Sequence, residues 1–502
     1  MDTDADRFDV LIVGGGSAGA VLANRLSADP SRRVLLLEAG PSYAPDAYPA
    51  ALLDPAQVGT DAEHDWGLRA TVDRSGRQVH APRGKVLGGS SAVNGAVAIR
   101  ATAADFRRWD LPGWSPEDVA PVYRQLENTP TGADEWHGRS GPFPIRQRTY
   151  PELTPALRAF IDAAAHQGFA RIVDFNGPDQ HGVGPYPLNV VGEQRQNTAM
   201  VYLTEEVRRR PNLTIRAGSE VDRLTVEPGR GAVTGVRTVD GYHYPAGEVI
   251  LSAGAFGSAG ILLRSGIGPA TELGRHGIEV LVDLPVGQRL RDQPFYYNIH
   301  ALRPEARSMT PAAGALLWTA SDEARPDELD LHVSATHYIA PSASPTGGAI
   351  VLAVSVTRPD SVGTVTLRSA RAKDGLDIRY NFLAEPRDQR RLLEGVRLSR
   401  RIARDELAAA VFADELTPGD AVRDDETLAR VVREQLDSYQ HPTSTAPMGV
   451  DGDPWAVVDL TGAVRGVSRL RVVDASILPD APSTTPNVTT IMLAERIAGF
   501  IR

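Results

Sequence analysis

Short apolar runs followed by glycine-rich or polar turns recur at widely separated places in this chain. Asp9-Val10-Leu11-Ile12-Val13 is apolar almost throughout, as expected of a strand buried on both faces of a parallel sheet. Gly14-Gly15-Gly16-Ser17-Ala18-Gly19 reads as a tight turn, Ala20 to Leu26 as a helix, and Arg33 to Leu37 as a second buried strand ending in Glu38-Ala39-Gly40. These make one βαβ unit. Far downstream, Glu248-Val249-Ile250-Leu251 leads through Ser252-Ala253-Gly254 into a helical stretch from Ala255 to Leu263. Leu470-Arg471-Val472-Val473-Asp474-Ala475 leads into Ser476-Ile477-Leu478-Pro479, and a helix from Thr489 to Phe500 closes the chain.

The middle of the chain has a different rhythm. Ala349 to Val356 alternates loosely, Thr364 to Leu367 continues in the same style, and Glu328 to His332 alternates polar with apolar, all as strands do. Asp388 to Arg404 is charged on one face and apolar on the other, which predicts an amphipathic helix. Tyr43 to Gly59, with several Pro and Ala residues, reads as a surface excursion. The expected fold class is therefore α/β: a Rossmann-like nucleotide-binding lobe assembled from discontinuous pieces, and a second lobe built on an antiparallel sheet with helices.

Composition narrows the function. At 502 residues the chain exceeds one ordinary core, so two lobes are expected. The net charge of −10, with no long basic run, disfavours a nucleic-acid or anionic-membrane surface. There is no cysteine, which excludes disulfides, thiolate metal sites and cysteine nucleophiles. The acidic start lacks the basic region of a secretory signal, and no apolar stretch has the length of a membrane span, so a cytoplasmic location is expected. The histidines show no H-E-x-x-H pairing, so no metal is expected, and no G-x-S-x-G elbow follows a strand.

Gly14, Gly16 and Gly19 have the spacing of a dinucleotide turn and sit between a strand and a helix. Glycines there let the backbone approach a pyrophosphate, whose charge meets the helix N-terminus. Glu38 ends the next strand, roughly 20 residues on, where a carboxylate accepts hydrogen bonds from ribose hydroxyls and repels a 2′-phosphate. This unit alone does not separate FAD from NAD.

Other segments carry a resemblance. Arg83-Gly84-Lys85-Val86-Leu87-Gly88-Gly89-Ser90-Ser91-Ala92-Val93-Asn94-Gly95 resembles the first signature of the glucose–methanol–choline oxidoreductase family. The stretch from Gly254 to Gly268 is similar to the second signature, with Ala259 where a proline is usual. The stretch from Pro285 to Pro294 resembles a further family segment, with Gln293 in place of a histidine, and Ser476 to Arg496 is similar to the C-terminal end. The likeness spans about residues 8 to 500 and leans toward the choline-dehydrogenase-like branch.

The resemblance implies FAD, with residues 1–110, 186–292 and 433–502 forming the FAD-binding domain and residues 111–185 and 293–432 the substrate domain. It implies that Gly14, Gly16, Ser17, Ala18, Gly19, Glu38, Gly88, Gly89, Asn94, Gly95, Val221, Asp474, Ala475 and Asn487 line the cofactor. Some relatives tether FAD through a histidine that aligns near Val93; with none there, non-covalent FAD is expected.

His441, in His441-Pro442-Thr443-Ser444-Thr445-Ala446-Pro447-Met448-Gly449, is similar to the family's active-site histidine, with Ser444 replacing a common glycine. A base near neutral pKa removes the hydroxyl proton as a hydride leaves the alcohol carbon for flavin N5. Relatives place a second histidine or an asparagine beside it, and the matching position here is Thr485. Three readings stand at this point: a hydroxyl partner at Thr485, an amide supplied by Asn487 through a register shift, or altered chemistry. His332 is a further candidate for the substrate pocket or an ordinary strand histidine, and Tyr296, Tyr297 and His300 are either pocket-lining or core. The expected activity is oxidation of a small-molecule alcohol, with oxygen or another compound as electron acceptor. The alternatives are a lyase or photodecarboxylase on the same fold, or an accessory flavoprotein.

Overall fold

A computed structural model describes residues 7–59, 61–227, 229 and 231–501; the acidic residues 1–6 lie outside it. The first apolar run is the strand Phe8–Val13, whose last four residues are buried. It pairs in parallel with Val34–Leu37 on one side and with His243–Leu251 on the other. Leu213–Arg216 extends the sheet beyond Val34–Leu37, and Leu470–Val472 pairs with His243–Leu251, both also parallel. The register puts Val13 level with Leu251, and Leu251 level with Val472. Three segments far apart in sequence therefore end at one edge of one sheet. Val233–Thr238 and Val221–Val226 continue it antiparallel. The helix Ser17–Leu26 packs against the C-terminal helix Asn487–Ala498.

The second lobe is an antiparallel sheet in the order Phe412–Thr417, Pro294–Leu302, Ala349–Val356, Leu331–Thr336, Ala315–Thr319 and Gly182–Pro185, with Asp437–Ser438 added beside Pro294–Leu302. Ala349–Val356 does not alternate in burial as expected. All eight of its residues are buried, because the helix Pro386–Ala403 covers one face and a cluster around Phe295 and Tyr439 covers the other. The strand read from Glu328 begins only at Leu331, since Glu328 and Asp330 are ion-pair partners of arginines.

Pairing redraws the expected boundaries. Thr364–Leu367 pairs with Leu376–Arg379, which joins Arg69–Thr71 and Gln78–His80 in a separate four-stranded sheet. That sheet packs on the helix Gly254–Arg264, so this part of 293–432 sits with the nucleotide lobe. The helix Pro116–Leu126, assigned by sequence to the second lobe, packs on the C-terminal helix, while Asp437–Ser438 crosses the other way. The excursion after Tyr43 is anchored rather than loose: Leu52 is buried in the short helix Ala50–Leu53, and the Tyr48 hydroxyl donates to the Leu87 carbonyl at 2.8 Å. No helix among the described residues is long and apolar enough to cross a membrane.

A buried ionic cluster ties the long helix to the second sheet. Arg391 Nη1 donates to Asp330 Oδ2 at 2.9 Å, and Nη2 to Asp388 Oδ1 at 2.5 Å, all three side chains being fully buried. The carboxylates also accept backbone N–H groups, Asp330 from Ser321 at 2.7 Å and Asp388 from Ser361 at 2.8 Å. Arg391→Met keeps the volume and strands two buried anions, so stability is expected to fall by about 3–5 kcal/mol, read as a lowered urea midpoint. An unchanged midpoint would mean that the carboxylates find water or protons instead.

Candidate active site

The glycine turn works as expected of close backbone packing. Gly14 has φ +93°, and a Cβ there would lie 2.6 Å from the Ser252 carbonyl oxygen. Gly89 has φ +53°, and its Cβ would lie 2.7 Å from Gly16 Cα. The 3₁₀ turn Gly89–Ala92 thus lies directly on the dinucleotide turn, and Gly88 N donates to Gly15 O at 2.8 Å. The helix Ser17–Leu26 starts at Gly16 without a side-chain cap, which leaves first-turn N–H groups free for an anion. Ser17 Oγ donates to Asn487 Oδ1 at 2.7 Å, and Asn487 Nδ2 is buried with no partner among the described residues.

Glu38 is buried, and its two oxygens accept from Gly15 N and Gly40 N, each at 2.8 Å. Burial pushes its pKa up to about 7 against the pull of these backbone donors and of Lys85. Each oxygen keeps a second lone pair for a hydroxyl donor. Val221 opens its strand close by, where Ser219 N donates to Glu38 O at 2.8 Å. The Asp474 side chain is fully engaged with protein: Oδ2 accepts from Gly254 N and Ser258 Oγ, and Oδ1 from Ser476 N and Oγ. It braces the backbone at Ala475. Asn94 Oδ1 accepts from Ala96 N at 3.0 Å, and Gly95 O accepts from the Tyr338 hydroxyl at 3.2 Å, which places this signature against the second lobe.

His441 sits where both lobes meet. Gln440 at φ +68° and Ser444 at φ +65° bracket it in left-handed backbone, which accounts for a glycine being common at the position of Ser444. Ser444 N donates to Ala475 O at 3.2 Å, and Ala446 N to Ser476 O at 2.9 Å, so the loop is docked on the nucleotide lobe. Arg291 and Thr443 exchange two backbone hydrogen bonds, at 3.0 and 2.8 Å, bringing residues 292–293 alongside. Asp292 Oδ1 then accepts from His441 N at 3.0 Å and from Gln293 N at 2.7 Å, and Oδ2 from Ser438 Oγ at 2.9 Å. Gln293 Oε1 lies 2.7 Å from His441 Nδ1.

No protein hydrogen bond reaches His441 Nε2 among the described residues. Burial holds the imidazole well below its ordinary pKa, and the charge of Arg83 and the nearby His332 push the same way. Arg83 Nη2 donates to both the backbone carbonyl and the side-chain oxygen of Gln440, each at 3.0 Å.

The second sheet supplies the facing wall. Phe295, Ser355, His332 and Trp318 are register partners across four strands and so share one face. Tyr439 stacks on Phe295 at 4.3 Å between ring centroids, and the His441 ring lies 4.3 Å from it on a tilt. His332 is edge-on to Trp318 at 4.8 Å and to Tyr439 at 6.1 Å. Both His332 nitrogens and Ser355 Oγ are buried without partners among the described residues, and burial pushes His332 down to about 3.

The partner expected for His441 is not where sequence placed it. The Thr485 hydroxyl donates weakly to Ile99 O at 3.5 Å, and Asn487 is taken by Ser17, so neither amide nor hydroxyl from that segment bonds His441. Gln293 does, at the position noted only as lacking a histidine. Tyr296 and His300 alternate with Phe295 onto the opposite face, toward the helix Pro386–Ala403, where burial pushes His300 down to about 4. Tyr297 shares the Phe295 side, edge-on at 5.0 Å. Tyr439 was missed; its aromatic character two residues before the histidine was the available signal.

Comparison with known proteins shows the family. The GMC oxidoreductase family pattern matches residues 8–295 with its N-terminal part and 359–494 with its C-terminal part. The chain is 34% identical to an oxygen-dependent choline dehydrogenase of Vibrio vulnificus (strain YJ016), covering 98% of this chain and 94% of that one. It is 36% identical to a 5-(hydroxymethyl)furfural oxidase of Methylovorus sp. (strain MP688), covering 98% of each. The crystal structure of pyridoxine 4-oxidase from Mesorbium loti superposes with a TM-score of 0.90 at 32% identity, covering 99% of both chains. With the family pattern matched across both lobes, the chain belongs to the GMC oxidoreductases.

Proposed function

We propose that this protein oxidises the CH–OH group of a small alcohol, with non-covalently held FAD and with His441 as the base. The observation that carries the reading is the His441 imidazole itself. It is kept neutral by its surroundings, held at Nδ1 by Gln293, and left open at Nε2 at the boundary of the two lobes. The relatives named above are oxidases and dehydrogenases of chemically different alcohols, and the features shared with them favour this chemistry over a lyase or accessory role.

The residues of the nucleotide lobe fit a dinucleotide. The uncapped helix start after Gly16, with Ser17, Ala18 and Gly19 in its first turn, suits a pyrophosphate. Glu38 has lone pairs to spare for ribose hydroxyls, and the orphaned Asn487 Nδ2 is a donor awaiting an acceptor. Val93 stands where some relatives carry a linking histidine, and the chain has no cysteine, which supports non-covalent binding. FAD, when bound, supplies the hydride acceptor.

The chain's own contribution is proton handling and orientation. His441 Nε2 takes the hydroxyl proton, and a base of depressed pKa stays unprotonated and ready in mildly acid solution. The row from Phe295 to Trp318 offers an apolar wall broken by the neutral acceptors and donors of His332 and Ser355. Thr485 acts on Ile99 rather than on His441. Electrons pass on to oxygen or another acceptor.

Anaerobic mixing of the holoprotein with primary, secondary and aromatic alcohols tests the reading: one class should bleach the visible flavin band. An unbleached band across the panel would overturn it. His441→Ala is expected to slow flavin reduction by about 10²–10⁴-fold with FAD retained. Because the His441 pKa lies below its ordinary 6.5, the wild-type reduction rate should stay flat as pH falls through that value; a loss centred there would contradict a depressed base. Glu38→Ala removes a charged acceptor from two backbone donors, so FAD affinity should drop by about 10–100-fold, seen as flavin lost on dialysis.

A further inference from the structure

Gln293 is fully buried, and its side chain has no freedom of assignment. Its Nε2 donates to two carbonyl oxygens, Thr357 O at 2.7 Å and Pro482 O at 2.9 Å. Carbonyls only accept, so the amide N–H₂ must face them, and reversing the amide would set its oxygen against both. The amide oxygen is thereby turned toward His441 Nδ1 at 2.7 Å. An amide oxygen also only accepts, so Nδ1 must carry the hydrogen, and in a neutral imidazole the lone pair then resides on Nε2. The pairing is held in register from behind, because Asp292 Oδ1 takes the backbone N–H of both residues.

We infer that Gln293 is a positioning residue that locks His441 in the Nδ1–H tautomer and makes it a base open at one end only. The inference rests on the alcohol-oxidation reading for its catalytic meaning, although the tautomer itself does not. A histidine or carboxylate at position 293 could take over the Nδ1 proton; an amide neither gains nor passes on a proton near neutral pH. The proton accepted at Nε2 therefore cannot leave through Nδ1. It must depart from Nε2 on the substrate side, and it stays on the protein until that side opens to solvent or to a proton acceptor. The bond made is N–H at Nε2, the bond broken is the substrate O–H, and the later transfer reverses the first of these.

The tautomer can be read directly in the oxidised holoprotein. Histidine-selective ¹⁵N labelling with long-range ¹H–¹⁵N correlation should give one ring signal of Nδ1–H type that disappears in His441→Ala. An Nε2–H pattern for that ring would overturn the proposal whatever the enzyme oxidises. The acceptor facing Nδ1 is the Gln293 amide oxygen. Gln293→Leu removes it, and should give mixed tautomers together with flavin reduction slowed on the order of 10–100-fold, substrate affinity being nearly unchanged; a partner that imposes the wrong tautomer costs roughly 10⁴. Equal rates in wild type and Gln293→Leu, with bleaching intact, would also refute the lock. If no alcohol bleaches the wild type while the Nδ1–H signal is present, the proposed function fails and the positioning of His441 stands.

Discussion

The whole site depends on how one strand is shared. His243–Leu251 pairs in parallel with Phe8–Val13 on one side and with Leu470–Val472 on the other, with all three ending level. The chain leaving each strand continues the ladder for one more bond: Ser252 N donates to Val13 O at 2.7 Å, and Val473 N to Leu251 O at 2.8 Å. The dinucleotide turn, the start of the helix Gly254–Arg264 and the brace at Asp474 are therefore set side by side by backbone geometry alone. Crevices at the carboxyl ends of parallel strands are where such sheets bind ligands. A slip of one residue in either pairing would carry Asp474 away from Gly254 N, and with it the loop that docks His441.

Buried charge is used at two levels in this arrangement. In the second lobe, Arg391 pairs with both Asp330 and Asp388, and the cluster fixes where the long helix meets the sheet. At the site, no such cation among the described residues is bonded to Asp292. Burial pushes its pKa up to about 6, offset by the Gln293 and His441 N–H groups, Arg83 and Ser438. The cost of burying a carboxylate is met by donors that are themselves the parts needing placement. The same anion fixes the base and the amide that orients it, so the two cannot drift apart independently.

The sequence made the nucleotide lobe readable because its signals are local. A buried strand, a glycine turn, a helix and a terminal carboxylate lie within about 30 residues, the span of a βαβ unit. The strand at Thr364–Leu367 was equally readable as a strand, but its link through Leu376–Arg379 to Arg69–Thr71 was not, since nothing local encodes a pairing across some three hundred residues. The same limit explains the partner of His441. Gln293 was visible only as a departure from a family residue, and its bond to His441 joins segments 148 apart in sequence. Register transfer pointed to Thr485 instead, whose hydroxyl is turned to Ile99. For Tyr296 and His300 the sequence leaves pocket and core equally open for a simpler reason: a strand alternates faces, and the sequence does not say which face looks at the site.

That alternation also explains how one architecture serves different alcohols. The relatives act, by name, on choline, a furfural and pyridoxine, yet the matches run the length of the chain. What must stay fixed is the parallel-strand edge and the loop carrying His441. On the proposed reading, what can vary is the row at Phe295, Ser355, His332 and Trp318, because a side chain on one face of a paired strand can change without altering the ladder or the opposite face. In this chain that row combines aromatic surface with a histidine kept neutral by burial and a hydroxyl with no partner among the described residues. Buried polar atoms without partners are costly, so these three suit a ligand that brings complementary donors or acceptors. On the proposed reading, substrate choice turns on which alcohol places such groups against His332 and Ser355 while its hydroxyl reaches His441 Nε2.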